Sequence, residues 1–166
     1  MADSLLEAQI PGLRRYARAL CGDAAQADDL VQDCLERAVS RWASWRRQAE
    51  LRFWLFAILR NLWLDEVRRR GVHPELVDID DHPEGLAVPP AQGQSLAVRD
   101  LAAALLLLAP EQREAVLLVG LEGMSYAQVA EVTGVPVGTV MSRLKRGRDR
   151  LARLIHDGGP ALRRVK

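Results

Sequence analysis

Residues 122–151, EGMSYAQVAEVTGVPVGTVMSRLKRGRDRL, predict the fold of the C-terminal half of this chain. Ser125 followed by Gln128 forms the pattern of a capping box, which predicts the start of a helix. Gly134 ends that helix, because glycine adopts the left-handed cap conformation at little cost. Pro136 supplies the backbone angle that begins the next helix. Two short helices joined by a glycine turn predict a helix-turn-helix.

The second of these helices combines an apolar stripe with a basic surface. Val137, Val140, Leu144 and Leu151 recur at helical spacing and are expected to face the core. From position 139 to 166 the chain has nine Lys or Arg residues and two acids. Solubility needs no such excess, whereas contact with phosphates does. The pattern therefore favours a DNA-binding helix over the alternative, an αα-hairpin with a solvated basic face.

Charge is unevenly distributed along the 166 residues, although the net charge is only +1. It is −2 over residues 1–45, +4 over 46–73, −5 over 74–95, −3 over 96–138 and +7 over 139–166. Two basic patches are thus separated by acidic stretches. With 49% hydrophobic residues the chain is expected to fold, and its length allows one domain or two small ones.

Several classes of protein are excluded by the residues present. Cys21 and Cys34 form no CxxC motif, and the three histidines have no metal-ligand spacing with them, so we expect structural thiols and no metal or cofactor. No set of nucleophile, base and metal residues converges, so an enzyme is not expected. No apolar run approaches the ~18 residues of a membrane span and no signal peptide is recognised, which predicts a cytoplasmic protein without membrane insertion.

The N-terminal half predicts helices with clear boundaries. Residues 3–21 form the first, in which Pro11 either starts the main helix or kinks it. Gly22 ends it, and Asp23 with Gln26 caps a second helix. The apolar face of the second helix comprises Ala27, Leu30, Val31, Cys34, Leu35, Ala38 and Trp42. Its opposite face carries Asp29, Gln32, Asp33 and Glu36, which form either a solvated surface or a docking surface for a basic partner.

A loop over residues 43–50 precedes a third helix at about 51–70. We expect its core stripe to be Leu51, Trp54, Leu55, Ile58 and Leu62. Its other sides carry Arg52, Phe56, Arg60, Asn61, Trp63 and Arg68. Aromatic rings interleaved with arginines suit single-stranded nucleic acid, because the rings stack on unpaired bases while the arginines follow the phosphates.

Residues 71–95 contain half of the eight prolines, five acids and no Lys or Arg, which predicts an extended acidic linker. We expect four helices after it, with Pro110 opening one of them and Glu111 and Glu114 near the positive end of its dipole. The predicted fold is all-α, with two small helical domains at residues 1–72 and 95–166 and a flexible linker at 73–94. Without a partner, the domains are expected to have no fixed relation.

Three further sequence segments, together with the helix-turn-helix, match the pattern of a known family. DDLVQDCLERAVSRW at 28–42, LRFWLFAILRNLWLDEVRRR at 51–70 and LLLLAPEQREAVLLVGLEG at 105–123, the last continuous with the helix-turn-helix, occur in this order around the acidic linker. The chain resembles bacterial extracytoplasmic-function (ECF) sigma factors, the two-domain specificity subunits of RNA polymerase. The resemblance implies binding to core polymerase, promoter recognition, DNA melting, transcription initiation and regulation by an anti-sigma factor.

The resemblance also implies roles for individual residues. The polymerase clamp would be bound by Asp29, Gln32, Asp33 and Glu36. The single-stranded −10 element would be contacted by Trp45, Arg46, Arg47, Arg52, Arg60, Asn61, Arg68, Arg69 and Arg70. The double-stranded −35 element would be contacted in its major groove by Ser125, Tyr126, Thr139, Met141, Ser142, Arg143, Lys145, Arg146 and Arg148.

Three residues depart from the family pattern. Met141 stands where Arg or Lys is common, Gly147 where Ala is usual, and Trp63 where small residues are frequent. An alternative function is that of a sigma-like mimic, which sequesters an anti-sigma factor without directing transcription. A mimic is expected to lose its DNA-facing basic residues, and both basic patches are intact here, so the sequence favours a working sigma factor.

Overall fold

The computed structural model describes residues 2–45, 50–71 and 96–156. The described residues form α-helices and one short 3-10 helix, with no strand among them, which confirms the all-α prediction. The N-terminal helices are α1 (Ala2–Glu7), α2 (Ile10–Cys21), α3 (Ala24–Ser40), the 3-10 helix (Trp42–Ser44) and α4 (Leu51–Arg69). The C-terminal helices are α5 (Leu96–Leu106), α6 (Pro110–Gly120), α7 (Tyr126–Thr133) and α8 (Val137–His156). The predicted linker, 73–94, and the loop residues Arg46 and Arg47 lie outside the described residues.

The N-terminal helix boundaries follow the local signals. Pro11 lies in the first turn of α2, so it starts this helix and does not kink it. Gly22 ends α2 in the left-handed conformation, with a φ of 68°, and its N–H donates to the Arg18 carbonyl. Asp23 then caps α3 by accepting a hydrogen bond of 2.8 Å from the Gln26 backbone N–H.

The helix-turn-helix is built as its sequence predicts. The Ser125 hydroxyl accepts a hydrogen bond from the Gln128 N–H, and the Gln128 side chain accepts one from the Ser125 N–H. Gly134 has a φ of 71° and ends α7. Pro136 precedes α8, and its carbonyl accepts from the N–H of Val140. Three boundaries of the motif therefore come from residues that act within one turn.

Helix α4 buries more of its circumference than the sequence predicted. Phe56 and Trp63, expected on the outer sides, are 1% and 4% exposed, whereas Trp54, expected in the core, is only partly buried. The buried residues of α4 are Phe53, Leu55, Phe56, Ile58, Leu59, Trp63 and Leu64. The prediction was wrong because α4 packs against α3 on one side and against α7 of the C-terminal half on another.

The two halves pack together, contrary to the expectation that they have no fixed relation. One continuous core runs from Tyr16 and Phe56, whose ring centroids are 5.1 Å apart, to Leu118 and Val129 of the C-terminal half. Arg113 of α6 donates a 2.8 Å hydrogen bond to the Leu20 carbonyl at the end of α2. Each half alone is small, and packing their apolar faces against each other gives both halves a larger shared core.

Candidate nucleic-acid interface

Helix α8 presents most of the predicted −35 residues on its surface. Val140 and Leu144 are buried at 1% and 2% exposure, which sets the rotation of the helix. Met141, at 51% exposure, lies on the open surface. The other exposed members of the predicted set are Ser125, Tyr126, Ser142, Lys145, Arg146 and Arg148, while Thr139 and Arg143 are half-buried. Val137, expected in the core, is 42% exposed and extends this surface by one turn from Met141.

The two arginines left equivalent by the sequence have different surroundings. Arg143 is half-buried, and its charge favours the ionised form of Glu114 in α6. Arg146 is exposed and lines a shallow groove together with Gln112 and Arg150. Lys145 forms an ion pair with Asp149 at 2.9 Å, and both side chains remain largely solvated. Arg146 and Lys145 therefore remain accessible to a ligand on the described surface of α8, whereas Arg143 is half-buried.

The acidic surface of α3 has the predicted rotation. Val31 and Cys34 are buried at 3% and 0% exposure, so the opposite side of the helix faces solvent. The exposed residues are Asp29, Gln32, Asp33 and Glu36. Gln32 Nε2 donates to Glu36 Oε1 at 3.1 Å. The helix thus presents three carboxylates and one amide side chain to solvent.

Three tryptophans meet at the beginning of α4. The ring centroids of Trp42 and Trp45 are 5.0 Å apart, and the Trp45 ring stacks on Trp54 at 6.3 Å. Trp45 is half-buried in this cluster and lies next to residues 46–49, which are outside the described part. The cluster orients an aromatic ring at the edge of the N-terminal half.

The polar residues predicted for the −10 element in the second half of α4 are solvent-exposed: Asn61, Arg68, Arg69 and, just after the helix, Arg70. Asn61 is exposed and accepts a 3.2 Å hydrogen bond from Arg60 Nη1. Arg68 pairs with Asp65 at 3.4 Å, and Arg70 pairs with Glu66 at 2.8 Å. Arg69 also pairs with Glu66. Such exposed pairs within a helix contribute little, so these arginines can exchange their carboxylates for other anions.

Arg52 and Arg60, also predicted for the −10 element, contact the C-terminal half. Arg52 Nη2 donates to both the carboxylate and the backbone carbonyl of Glu122, at 2.9 and 2.8 Å. Arg60 Nε pairs with Glu114 Oε1. Arg15, which the sequence did not single out, donates twice to the Glu122 carboxylate, at 3.0 and 2.9 Å.

Glu114 is a buried acid of α6. The sequence placed it near the positive end of the helix dipole and did not predict its burial, yet it is 1% exposed. Burial raises the pKa of Glu114, because desolvation outweighs the attraction of the Arg60 charge. Glu114 shares its helix face with Leu117 and Leu118, and this spacing was the one local signal of its burial.

Burial also perturbs the neighbours of Glu114. It raises the pKa of the Tyr16 hydroxyl well above its usual value, and within the described structure that hydroxyl has no hydrogen-bond partner. It lowers the pKa of Arg113 to about 10, while four backbone carbonyls accept from that guanidinium. Arg113 also lies over the Trp63 ring, with 5.8 Å from its guanidinium carbon to the ring centroid.

Within the described ranges, no group of His, Cys, Asp and Glu residues has an arrangement that could hold a metal ion. No helix there has the length and apolar character needed to cross a membrane. Both cysteines are free thiols in the structure.

Comparisons with known proteins agree with this architecture. Residues 6–60 match the family model described as the sigma2 domain of PhyR, and residues 99–151 match that of sigma-70 region 4. The ECF RNA polymerase sigma factor EcfG of Rhodopseudomonas palustris is 40% identical over 163 residues, which cover 96% of this chain and 89% of the relative. This chain belongs to the ECF sigma factor family. The sequence-based prediction of a sigma factor is thereby confirmed.

Two further sigma factors extend the comparison. SigM of Mycobacterium tuberculosis is 38% identical over 154 residues, covering 92% of this chain and 76% of the relative. The solved structure of the sigma factor RpoE from Bartonella quintana, in complex with the anti-sigma factor NepR, matches with a TM-score of 0.77 and 38% identity. That match covers 93% of this chain and 96% of the other.

Proposed function

We propose that this ECF sigma factor binds core RNA polymerase and recognises promoters through two separate surfaces. The domain at residues 1–72 contacts the polymerase clamp and the melted −10 element, and the domain at 95–166 reads the duplex −35 element. The intervening residues, 73–94, link the two. Assignment of these tasks rests on the charge and exposure of each surface, together with family membership.

The observation that carries the proposal is the surface of α8. The α7 helix is capped at both ends and packs against α8, while Met141, Lys145 and Arg146 project from α8 into solvent. An α-helix of this kind fits the major groove of B-DNA, where side chains contact base edges and phosphates. The exposure of Met141 supports apolar contact with a thymine methyl at this point, because methionine donates no hydrogen bond.

The N-terminal surfaces suit the other two tasks. The carboxylates of α3, represented by Asp33 and Glu36, are solvated and complementary to a basic polymerase surface. Trp45 and Asn61 suit unpaired bases, through stacking and hydrogen bonding respectively. Arg68, Arg69 and Arg70 lie at the C-terminal end of α4 and suit the phosphates of the same strand.

An anti-sigma factor is the third partner that we propose. The structure of the Bartonella quintana sigma factor contains the anti-sigma factor NepR. That sigma factor matches 93% of this chain with a TM-score of 0.77, which supports a partner of the same class for this chain. A protein of the same class is therefore expected to bind this chain and to compete with polymerase.

The test is transcription in vitro by purified core polymerase together with this protein on a library of genomic fragments. We expect initiation at a defined set of start sites whose −35 regions share a sequence. A variant with both Arg143→Ala and Arg146→Ala is expected to lose most of this signal while retaining core binding. Core binding without initiation on any fragment, combined with capture of an anti-sigma factor, would instead establish the mimic.

A further inference from the structure

We propose that Glu114 and Glu122 act as internal competitors for nucleic acid, by occupying arginines of the −10 surface in a closed form of the chain. We call Glu114, Glu122 and their partners Arg15, Arg52 and Arg60 the glutamate clasp. The proposal rests on the proposed function, because it assumes that Arg52 and Arg60 contact the melted strand. It adds that these contacts form only after the clasp has opened.

The clasp joins the two halves of the protein through two carboxylates. Glu122 receives three side-chain hydrogen bonds from Arg15 and Arg52, each 2.9–3.0 Å long. Glu114 forms a salt bridge with the Arg60 guanidinium. Glu114 and Glu122 are the buried acids of the described residues, at 1% and 6% exposure, and their salt bridges in this part of the chain cross to arginines of the N-terminal half. Burial and pairing across the halves distinguish the clasp from scattered surface ion pairs.

A carboxylate held in this way imitates a phosphate. Guanidinium groups bind carboxylates and phosphates with the same bidentate geometry, so one anion can replace the other. The side chains of Arg15 and Arg52 are 52% and 36% exposed, which leaves their outer edges open to an incoming anion. Arg60, at 13%, is enclosed. We therefore expect exchange to begin at Glu122 and to reach Glu114 only as the halves separate.

The energetics of the clasp suit a reversible contact. The free-energy cost of desolvating two charges is about as large as their attraction in a buried ion pair, so such pairs add little net stability. Close to the Arg60–Glu114 pair, Tyr16 Oη and Glu114 Oε2 are buried without hydrogen-bond partners in the described structure, which adds a further cost to closure. The phosphates of a nucleic-acid strand can consequently replace the two glutamates as partners of the arginines and so open the closed form.

The experiment uses the full chain and measures two quantities. Small-angle scattering gives the radius of gyration, and fluorescence anisotropy gives the affinity for a labelled single-stranded 12-nucleotide DNA. The variants are Glu122→Gln, Glu114→Gln with Glu122→Gln, and Arg15→Gln. The matched control is Glu7→Gln with Glu131→Gln, which makes the same change of charge as the double variant at exposed positions outside the clasp.

We expect the clasp variants to expand and to bind the strand about five- to tenfold more tightly. The control variant should stay compact, and its affinity for the strand should change by less than about twofold. Arg15→Gln is decisive, because it removes a positive charge, so charge alone would weaken DNA binding while clasp opening strengthens it. If circular dichroism shows that the double variant does not fold, Arg15→Gln and Glu122→Gln still test whether opening of the clasp strengthens DNA binding.

Clasp variants that match the control in both size and affinity would overturn the proposal. Expansion without tighter DNA binding would overturn it as well, since the freed arginines would then not serve the strand. Transcription by the wild-type protein with core polymerase tests the proposed function separately. Promoter-directed transcription combined with unchanged clasp variants refutes the clasp alone.

Discussion

Gly147 of α8 lies so close to Val116 of α6 that a Cβ added to the glycine would be 2.8 Å from Val116 Cγ2. The same Cβ would be 3.1 Å from the Gln112 carbonyl oxygen. Glycine inside a helix costs about 1 kcal/mol relative to alanine, so the sequence alone suggested a defect at this position. The structure shows instead that the missing side chain allows α6 and α8 to approach each other.

Gly147→Ala is therefore expected to lower the free energy of unfolding by about 1 kcal/mol. Overpacking against a stiff β-branched neighbour costs ~1–3 kcal/mol and outweighs the ~1 kcal/mol gained in helix propensity. Urea denaturation measures the difference. Gly138→Ala is the matched control, because a Cβ at Gly138 meets nothing within 4 Å. A Gly147→Ala protein as stable as the Gly138→Ala protein would show that α6 and α8 do not pack this closely.

Reversal of charge on α3 is expected to weaken binding to core polymerase. Asp33→Lys combined with Glu36→Lys replaces two exposed carboxylates, so stability should change by no more than about 0.5 kcal/mol. Co-purification with core enzyme is the measurement. Glu7→Lys combined with Glu131→Lys makes the same change of charge away from α3 and should bind normally. Equal recovery of both double variants would refute the assignment of this face.

Asn61→Ala and Trp45→Ala are expected to impair promoter opening more than formation of the closed complex. Their proposed targets are unpaired bases, which exist only after melting, and loss of one stacked base costs about 1–3 kcal/mol. Permanganate footprinting reports the melted region, and gel shift reports the closed complex. Asn61 is exposed, so its variant separates function from folding, whereas Trp45 also belongs to the tryptophan cluster. Undiminished melting by Asn61→Ala would argue against this placement.

Met141→Arg is expected to strengthen −35 binding and to make it more dependent on salt. A new phosphate contact would raise the salt slope by about one, and a new guanine contact would add about 1–3 kcal/mol of preference at one base pair. Titration of the full chain against −35 duplexes at several salt concentrations distinguishes these outcomes. Met141→Gln, polar but uncharged, is the control. An unchanged affinity and salt slope for Met141→Arg would mean that this position does not face DNA.

The cysteines are expected to be unreactive at neutral pH. Burial raises the pKa of the Cys21 thiol to about 11 and that of Cys34 to about 12, from a usual value of 9.0. The thiolate is the reactive form, so alkylation of Cys21 at pH 8 should be roughly 100-fold slower than in urea-unfolded protein. Because folding raises the pKa of both thiols, the folded state favours their neutral forms. This stabilisation is fully present below pH 9 and is lost as the pH rises through the folded-state pKa values. Rapid labelling of the native protein would show that the thiols are accessible.

Short-range patterns in the sequence were sufficient to predict the boundaries of the helix-turn-helix and the exposed side of α8. The Ser125–Gln128 capping box and the left-handed Gly134 act within one turn, so neighbouring residues suffice to specify them. The spacing of Val140 and Leu144 likewise set the rotation of α8, and with it the exposure of Met141. Only Val137, at the first turn, lay outside the core that this spacing predicted.

The contact between the two halves depends on tertiary packing and could not be predicted from the sequence pattern. Phe56 and Trp63 were assigned to the surface because α4 has apolar residues on more than one side, and periodicity cannot say which sides find a partner. The pairing of Arg52 with Glu122 joins residues 70 positions apart, and no local pattern encodes it. Hydrophobic burial is non-directional, so the mutual fit of whole surfaces selects such contacts, and that fit exists only once the chain has folded.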